Sequence, residues 1–319
     1  MSGDRGHLPL KDPGLQGRNM HGAVSHDIPD CVPPDPAPHP LRFQMPAGAC
    51  DCHAHVSGPE SRYPLSPTRL YSPTGSSMAD YRTMLNAIGV GRAVLVQPSF
   101  YGSDNSALLD ALGESPATLR GIAVIDGATP AAELERLHAA GIRGVRFNIV
   151  DQREGKGVFP GDLIRTLSPR LADLGWHVEL LVHVDDFPGL DQLVSGLPVD
   201  VVVAHMGYLH RQGSRRSDGF RALLRLLDRR KAWVKLSGPY RVSAFEMPHD
   251  DVDPVVRDIV SAANDRVLWG SDWPHVRASW STAMPNDGDL ANLLQAWVPD
   301  PDAREAILVR NPEQLYGFA

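Results

Sequence analysis

The chain has 319 residues, of which 42% are hydrophobic and 22% charged, and its formal net charge is −7. This length allows one large domain or two ordinary ones, and the composition is that of a globular protein. The negative charge argues against a nucleic-acid or anionic-membrane partner, and no apolar run approaches the roughly 20 residues that cross a bilayer. Three cysteines form no disulfide framework and no signal-peptide pattern is present, so we expect a cytoplasmic protein.

The first part of the chain differs in composition from the rest. Residues 1–40 are rich in proline, glycine, aspartate and histidine and contain no periodic apolar stretch. Proline removes a backbone donor and restricts the residue before it, so the run 30–40 cannot form a helix. We predict a disordered or loosely draped extension over residues 1–45 and one folded domain over 46–319. The histidines of the extension are poor candidates for chemistry: His7, His21, His26 and His39.

Eight short apolar runs follow, and each has the composition of a buried strand. They span residues 49–56, 93–98, 119–126, 144–148, 177–182, 200–205, 232–238 and 267–272. Segments with helical periodicity separate them, at residues 78–88, 105–112, 130–140, 162–174, 187–197, 219–229 and 253–263. Strands that alternate with helices over about 270 residues predict an α/β fold, a (β/α)8 TIM barrel, with a doubly wound sheet as the alternative.

Polar side chains gather at the carboxyl ends of these runs. They are His53, His55, Gln97, Ser99, Arg146, Asn148, His183, His205, Ser237 and Asp272. In a parallel barrel all these ends open onto one face, which is where barrel enzymes keep their active sites. The convergence therefore predicts an enzyme.

The first run, Asp51-Cys52-His53-Ala54-His55, carries the densest polar pattern. Asp51, His53 and His55 are spaced by two, which predicts that all three point to the same side of a strand. Two imidazoles at that spacing can ligate one divalent metal or hydrogen-bond one substrate carbonyl. Cys50 and Cys52 are expected on the opposite face as buried structural thiols.

Three further residues are candidates for the same chemistry. His205 closes an apolar strand, where an imidazole is costly without a partner. Asp272 could deprotonate a water aimed at an electrophilic carbon, although aspartate there is also a common N-cap residue. His183 precedes two aspartates, and a solvated loop histidine fits its position almost as well.

An arginine fork matches a carboxylate or a sulfonate, and three arginines form a candidate cationic group: Arg143, Arg146 and Arg241. Arg146 is the best candidate because it lies among apolar residues within a strand, whereas a surface salt bridge is an equal alternative for any single arginine. Ser99, Tyr71 and Tyr240 could supply further donors. The chain has no P-loop, no dinucleotide-binding glycine motif and no nucleophile elbow, and the cluster at residues 211–216 fits a solvated loop.

These residues together resemble the amidohydrolase superfamily. The resemblance rests on the strand at residues 51–55, on His205 at the end of the sixth run and on residues 270–275, Gly-Ser-Asp-Trp-Pro-His. The closer match is the 2-pyrone-4,6-dicarboxylate lactonase branch, which includes sulfomuconolactone hydrolases and sugar-acid lactone enzymes. Residues 96–99, 144–148 and 311–318 fit the same branch, so the resemblance covers residues 46–318.

The resemblance implies roles for individual residues. Asp272 would be the general base that activates water, and His53, His55 and His205 would polarise the scissile carbonyl or hold a zinc ion. Substrate carboxylates would be held by a separate set: Arg146, Arg241, Ser99 and Tyr71, with Arg143 and His275 as further candidates.

The resemblance also bears on the metal and on the substrate. The superfamily's bridging lysine is not evident on strand four or five, so a binuclear site is not expected. We expect one divalent metal, zinc by preference, or none, with these candidate ligands in a single site: His53, His55, His183 and Asp272. Arg277 stands where an asparagine is expected in the pyrone-dicarboxylate enzymes, which is compatible with a different acid, such as a sulfonate.

The predicted function is hydrolysis of a small carboxylated lactone by water that Asp272 activates. The predicted partner is a small anionic substrate, with neither nucleic acid nor membrane, in a monomer or a small homo-oligomer. The alternatives are a metal-dependent decarboxylase or amide hydrolase, a sugar-acid lactone isomerase, and a non-catalytic binder of aromatic acids.

Overall fold

Eight parallel strands form the centre of the molecule in a computed structural model that describes residues 28–151, 156–210, 215–278 and 283–318. Each strand pairs with the next along the chain, in the order β1 to β8. The strands are β1 Cys50–Ala54, β2 Arg92–Val96, β3 Leu119–Ala123, β4 Ile142–Asn148, β5 His177–Leu181, β6 Val201–Val203, β7 Ala232–Leu236 and β8 Val267–Trp269. All eight predicted strands are confirmed, and so is the (β/α)8 barrel.

The chain just after β8 closes the barrel against β1. The amide of Asp272 donates to the carbonyl of His53, and the amide of His55 donates to the carbonyl of Trp273, both at 2.8 Å. These two hydrogen bonds place Asp272 next to the histidines of β1. The backbone that completes the sheet therefore also assembles the candidate site.

Helices connect the strands and cover the barrel. They are α1 Met78–Ile88, α2 Ser106–Gly113, α3 Ala131–Ala139, α4 Gly161–Asp173, α5 Leu190–Val194, α6 Asp218–Asp228, α7 Pro239–Val242, α8 Asp253–Ala263, α9 Asp287–Trp297, α10 Pro301–Glu305 and α11 Asn311–Tyr316. A π-helical turn, Ala306–Arg310, joins the last two. α1 begins at a capping box of Ser77 and Asp80 and ends at Gly89 in the left-handed conformation. Among the described residues, no helix is long and apolar enough to cross a membrane.

The strands have two buried faces, which explains their continuous apolar sequences. One face packs against the helices, for example through Leu95, Leu180 and Val234. The other fills the barrel, where Tyr316 and Phe318 pack with these strand residues: Cys50, Cys52, Val94, Val96, Ile122, Val202, Trp233 and Leu268. Cys50 and Cys52 are buried and free, as expected of structural thiols, and Cys31 is also buried and free.

The predicted alternation along β1 is wrong because a β-bulge interrupts this strand. Asp51 pairs with Ala93 but Ala54 pairs with Leu95, so β1 takes three steps where β2 takes two. Cys52, which packs in the interior cluster, and His53, which contacts Lys235 inside the barrel, therefore lie on the same side of the strand. The carboxylate of Asp51 turns the other way and accepts hydrogen bonds from the Tyr81 hydroxyl of α1 (2.8 Å) and from Ser271.

The segment 28–45, which the sequence predicts to be loosely draped, packs against the barrel. The amide of Cys31 donates to the carbonyl of Ser72 at 2.9 Å, and the amide of His39 donates to Oδ1 of Asn286 at 2.8 Å. Three side chains of this segment pack against the core: Leu41, Phe43 and Met45. Residues 1–27 and most of the predicted loop cluster, residues 211–214, lie outside the described residues.

Candidate active site

The carboxylate of Asp272 is fully buried just beyond the end of β8. Its Oδ2 accepts two hydrogen bonds of 2.6 Å, from the Tyr240 hydroxyl and from Nε of Arg241. Its Oδ1 has no hydrogen-bond partner within the described ranges and lies 3.8 Å from Nε2 of His53 and 3.9 Å from Nε2 of His205. One oxygen is held in place while the other faces the imidazoles, which is the arrangement that a base for a bound water requires.

Neighbouring positive charge keeps Asp272 ionised. Burial alone would raise the pKa of this carboxyl, but the charge and the hydrogen bond of Arg241 outweigh burial and hold the pKa below its usual range. At neutral pH Asp272 is therefore a proton acceptor.

Three histidines surround the free oxygen, and each is oriented by a contact at Nδ1. The partner atoms are the Val96 carbonyl oxygen for His55 (2.7 Å), Ser237 Oγ for His205 (2.9 Å) and Lys235 Nζ for His53 (3.3 Å). Burial lowers the pKa of His55 and of His205 to about 3, and that of His53 well below its ordinary value. All three rings are neutral at neutral pH, so they can polarise a carbonyl or ligate a metal.

Two of these histidines and Asp272 form a group of metal-donor side chains. His53, His55 and Asp272 each offer one ligand atom, and these atoms lie within 4.8 Å of one another. Two imidazoles and a carboxylate are a donor set that zinc accepts, and both Nε2 of His53 and Oδ1 of Asp272 are buried without a hydrogen-bond partner in the described part of the chain. By donor type and proximity the group fits one divalent ion.

An ion pair inside the barrel was missed by the sequence analysis. Lys235 of β7 and Glu179 of β5 are both fully buried, and Nζ of Lys235 donates to Oε2 of Glu179 at 2.5 Å. Each residue is a charge within an otherwise apolar strand. Because a buried charge is costly without a partner, that pattern is the signal that could have found them.

Arg146 of β4 borders the histidines. The residue is 6% exposed, one guanidinium nitrogen donates to the Gln97 carbonyl at 3.0 Å, and Nε has no hydrogen-bond partner among the described residues. Val96, whose carbonyl oxygen contacts Nδ1 of His55, directly precedes Gln97, so Arg146 and His55 bind the carbonyls of consecutive residues. Arg146 is thus a buried cation at the site, as the sequence predicts.

Tyr71 and Ser99 lie together on the side of the site that Arg146 occupies. Their hydroxyl oxygens are 3.0 Å apart. Burial and the charge of Asp151 raise the pKa of Tyr71, and the hydrogen bond with Ser99 and the charge of Arg146 oppose that rise. The guanidinium of Arg277 lies 5.9 Å from the centre of the Tyr71 ring and pairs with the carboxylate of Asp151. The two predicted hydroxyl donors therefore lie together in a region that contains both signs of charge.

Arg143 requires a correction. It lies near the amino end of β4, where its guanidinium donates to the carbonyls of His138 and Ile142. Arg143 and Arg146 are three residues apart, so one lies at the amino end of the strand and the other towards the carboxyl end. The structure does not bring Arg143 to the candidate site.

Two further predicted histidines, His183 and His275, lie beyond the three that surround Asp272. Nδ1 of His183 contacts the Tyr208 carbonyl at 2.6 Å, its ring stacks on His210, and it is not part of the metal-donor group. His275 is fully buried, with Nδ1 3.1 Å from the Tyr240 hydroxyl and Nε2 3.3 Å from Oδ1 of Asp287. His275 therefore supports Tyr240 through Nδ1, whereas Nε2 makes no hydrogen bond within the described residues, and the predicted contact of His275 with the substrate stays a prediction.

Arg241 has a partner that the sequence could not reveal. It binds Oδ2 of Asp272 through Nε and also donates to the Val276 carbonyl at 3.1 Å. The predicted substrate arginine therefore holds the carboxylate of Asp272. Any contact that it makes with the substrate would be additional to this one.

Comparisons with known proteins identify the family of this chain. A family model described as amidohydrolase matches residues 50–318. The chain belongs to the amidohydrolase family.

Two relatives and one solved structure are named as hydrolases of sulfomuconolactone or pyrone dicarboxylate. The chain is 35% identical over 290 residues to a 4-sulfomuconolactone hydrolase of Rhizobium radiobacter, covering 91% of this chain and 97% of the relative. It is 36% identical over 288 residues to a 2-pyrone-4,6-dicarboxylate hydrolase of Comamonas testosteroni, covering 88% and 93%. A crystal structure of a probable 2-pyrone-4,6-dicarboxylic acid hydrolase from Acinetobacter baumannii, with citric acid bound, superposes with a TM-score of 0.74 at 29% identity and covers 85% of this chain and all of that one.

Proposed function

We propose that this amidohydrolase opens a small lactone that carries one or more acidic groups. The observation that carries the proposal is the free Oδ1 of Asp272, a buried carboxylate oxygen that faces the neutral rings of His53 and His205. The names of the relatives support a lactone as substrate and do not favour the decarboxylase or amide-hydrolase alternatives.

The residues divide the reaction among them. Asp272 takes a proton from water as the water oxygen bonds to the ester carbonyl carbon. The imidazoles donate or direct hydrogen bonds to the carbonyl oxygen as it gains negative charge. The ring C–O bond then breaks, and the leaving oxygen takes up the proton that Asp272 received. The products, in one open chain, are a hydroxyl, or its keto tautomer, and a carboxylic acid that releases its proton to solvent at neutral pH.

Substrate charge would be matched by polar residues near His55. Arg146 supplies a buried cation, and the adjacent hydroxyls of Tyr71 and Ser99 supply donors for a carboxylate or a sulfonate. If a divalent ion is bound, His53, His55 and Asp272 would hold it, and it would supply Lewis acidity at the carbonyl.

The test is a hydrolysis screen of 2-pyrone-4,6-dicarboxylate, 4-sulfomuconolactone and sugar-acid lactones, with neutral lactones of the same ring size as controls. Each is assayed with and without a chelator. We expect kcat/KM for the best acidic lactone to exceed that of its neutral counterpart by about 100-fold or more. A buried charge-assisted contact contributes about 1.5–3 kcal/mol, and two such contacts are proposed, one from Arg146 and one from the hydroxyls of Tyr71 and Ser99. Rates on every acidic lactone no higher than those of an Asp272→Asn preparation would refute the proposal.

A further inference from the structure

The buried pair of Lys235 and Glu179 has no role in the proposed hydrolysis steps. Both side chains are inside the barrel and fully excluded from solvent. A buried ion pair is weak evidence for stability, because apolar side chains of similar volume often stabilise a protein as well or better. The pair contacts one residue of the candidate site, His53.

The position of the ring proton on His53 follows from what Lys235 is able to do. Nζ of Lys235 lies 3.3 Å from Nδ1 of His53, and an ammonium group donates hydrogen bonds but cannot accept them. Nδ1 of the neutral ring must therefore accept, which leaves the ring proton on Nε2. Oε1 of Glu179 is the acceptor that would favour the other tautomer, but it lies 3.5 Å from Nδ1 and makes no hydrogen bond within the described residues.

His55 is in the opposite situation. Its Nδ1 lies 2.7 Å from the carbonyl oxygen of Val96, and a carbonyl oxygen only accepts. The proton of the neutral His55 ring is therefore on Nδ1, and its Nε2 presents a lone pair. Two histidines separated by one residue thus offer opposite hydrogen-bonding groups to the space beside Asp272.

We propose that Lys235, held by Glu179, is a positioning residue that sets His53 and His55 in opposite tautomers. His53 then donates from Nε2 to the carbonyl oxygen of the substrate, and His55 accepts a hydrogen bond from the attacking water. The identity of that carbonyl rests on the proposed lactone hydrolysis. The tautomers themselves rest on the protein alone.

The proposed tautomer of His53 removes one ligand from the metal-donor group. With Nε2 of His53 protonated, the group of His53, His55 and Asp272 offers two lone-pair donors where a zinc site needs three or more protein ligands. The wild-type protein should therefore bind zinc weakly. Removing Lys235 should release the third donor.

The direct test is spectroscopic and does not depend on turnover. Long-range ¹H–¹⁵N correlation spectra of histidine-labelled wild-type protein report which ring nitrogen carries the proton, and His53→Asn and His55→Asn each identify one ring by its loss. We expect the proton of His53 on Nε2 and that of His55 on Nδ1. A His53 ring with its proton on Nδ1 would overturn the proposal.

The second test uses the double variant Lys235→Met/Glu179→Met, which removes the pair without leaving a lone buried charge. We expect kcat to fall by about 100-fold with little change in KM, because one donor to the developing oxyanion is lost. Zinc affinity measured by calorimetry should rise by about 10-fold or more, since His53 gains a lone pair for the metal. A double variant with wild-type kcat, wild-type zinc affinity and unchanged histidine spectra would show that the pair is merely structural and would contradict the proposal.

The two proposals fail independently. If no acidic lactone is hydrolysed but the spectra show opposite tautomers, the assignment for Lys235 stands and the substrate proposal falls. If lactones are hydrolysed but both rings carry the proton on Nδ1, the reverse holds.

Discussion

The two ends of the barrel interior are filled in contrasting ways. The carboxyl end holds buried charged and polar groups, several with atoms that lack a hydrogen-bond partner in the described residues, such as Oδ1 of Asp272. The amino end is filled by apolar side chains, including Trp233, Leu268 and Tyr316. The unpartnered polar atoms at the carboxyl end therefore lower the stability of the fold, whereas the packed apolar side chains at the amino end raise it. The same strands serve both ends, so variants on one strand can separate the two roles.

The largest effect is expected for Asp272→Asn. An amide cannot take the proton from water, so kcat should fall by about 10²–10⁴-fold while KM changes little. Steady-state kinetics on the best lactone of the screen measure both. Turnover within tenfold of the wild type would remove Asp272 from the role of base.

Leu268→Ala is the matched variant at the amino end, because Leu268 lies on β8, the strand that Asp272 follows. Leu268 is fully buried, so its truncation should lower the free energy of unfolding by about 2–5 kcal/mol and leave kcat and KM unchanged. Urea denaturation and the same kinetic assay measure the two quantities. A large loss of kcat in the folded variant would show that the two ends are not separable.

Gly238→Ala should have the next largest effect. A Cβ at Gly238 would lie 2.8 Å from Oδ2 of Asp272 and 3.1 Å from Nδ1 of His205, so both groups must shift. A displacement on the order of 1 Å in a catalytic group can cost about 100-fold in rate, and we expect kcat to fall by that order.

Gly175→Ala is the control for backbone strain. Gly175 also has a positive φ (65°, against 56° for Gly238), but a Cβ there meets nothing within 4 Å. Gly175→Ala should cost about 1 kcal/mol of stability and leave kcat unchanged. Equal kcat losses in the two variants would mean that strain, and not contact with Asp272, explains the effect.

Arg146→Met and Arg143→Met test the contrast along β4. Removing the buried Arg146 should raise KM for an acidic lactone by about 10–100-fold, the equivalent of one charge-assisted hydrogen bond, and change KM for a neutral lactone little. Arg143→Met should leave both values unchanged because Arg143 binds backbone carbonyls at the other end of the strand. If Arg143→Met raised KM as much as Arg146→Met, the placement of the anion site would be wrong.

The smallest effect concerns the pH dependence of stability. Burial lowers the pKa of His55, His205 and His177 to about 3, whereas these groups titrate near 6.5 in the unfolded chain. Between these values the unfolded chain binds more protons, so the free energy of unfolding should decrease as pH falls below about 6.5. Asp51, whose pKa burial raises to about 6, acts in the opposite direction below that pH.

His177→Phe isolates one of these contributions at the amino end. His177 packs against the ring of Tyr316, with centroids 5.4 Å apart, so an aromatic replacement keeps the contact. Denaturation between pH 7.5 and pH 5.5 should show a dependence smaller by about 1 kcal/mol in the variant, with kcat unchanged. An identical dependence in the variant and the wild type would contradict the assignment to His177.

The local pattern was enough to predict the strands and the groups at their carboxyl ends. Runs such as Val201–Val203 are apolar on both faces, which marks a parallel sheet, and a polar residue directly after such a run must lie at its end. His53, His55, His205 and Asp272 were found by that logic, and the structure brings them together. Helices α9 to α11 were not predicted, because no strand follows them to mark a repeating unit.

The predictions that the structure corrects depend on partners that are distant in the sequence. The bulge in β1 follows from pairing with β2, and it is this pairing that turns Asp51 towards Tyr81. Likewise, Arg241 could bind a substrate or another side chain, and the structure shows that it binds Asp272.

The sequence by itself determined the period of the strands, the class of fold and the types of side chain at the carboxyl end, because hydrophobic periodicity and strand polarity are local properties. Only the tertiary structure decided which oxygen of Asp272 is free, that Arg241 holds the other, and that Lys235 and Glu179 meet His53 inside the barrel. The physical reason is that hydrogen-bond geometry and burial arise when β1, β5, β7 and β8 close around a common interior. Residues 56 to 220 positions apart then become neighbours.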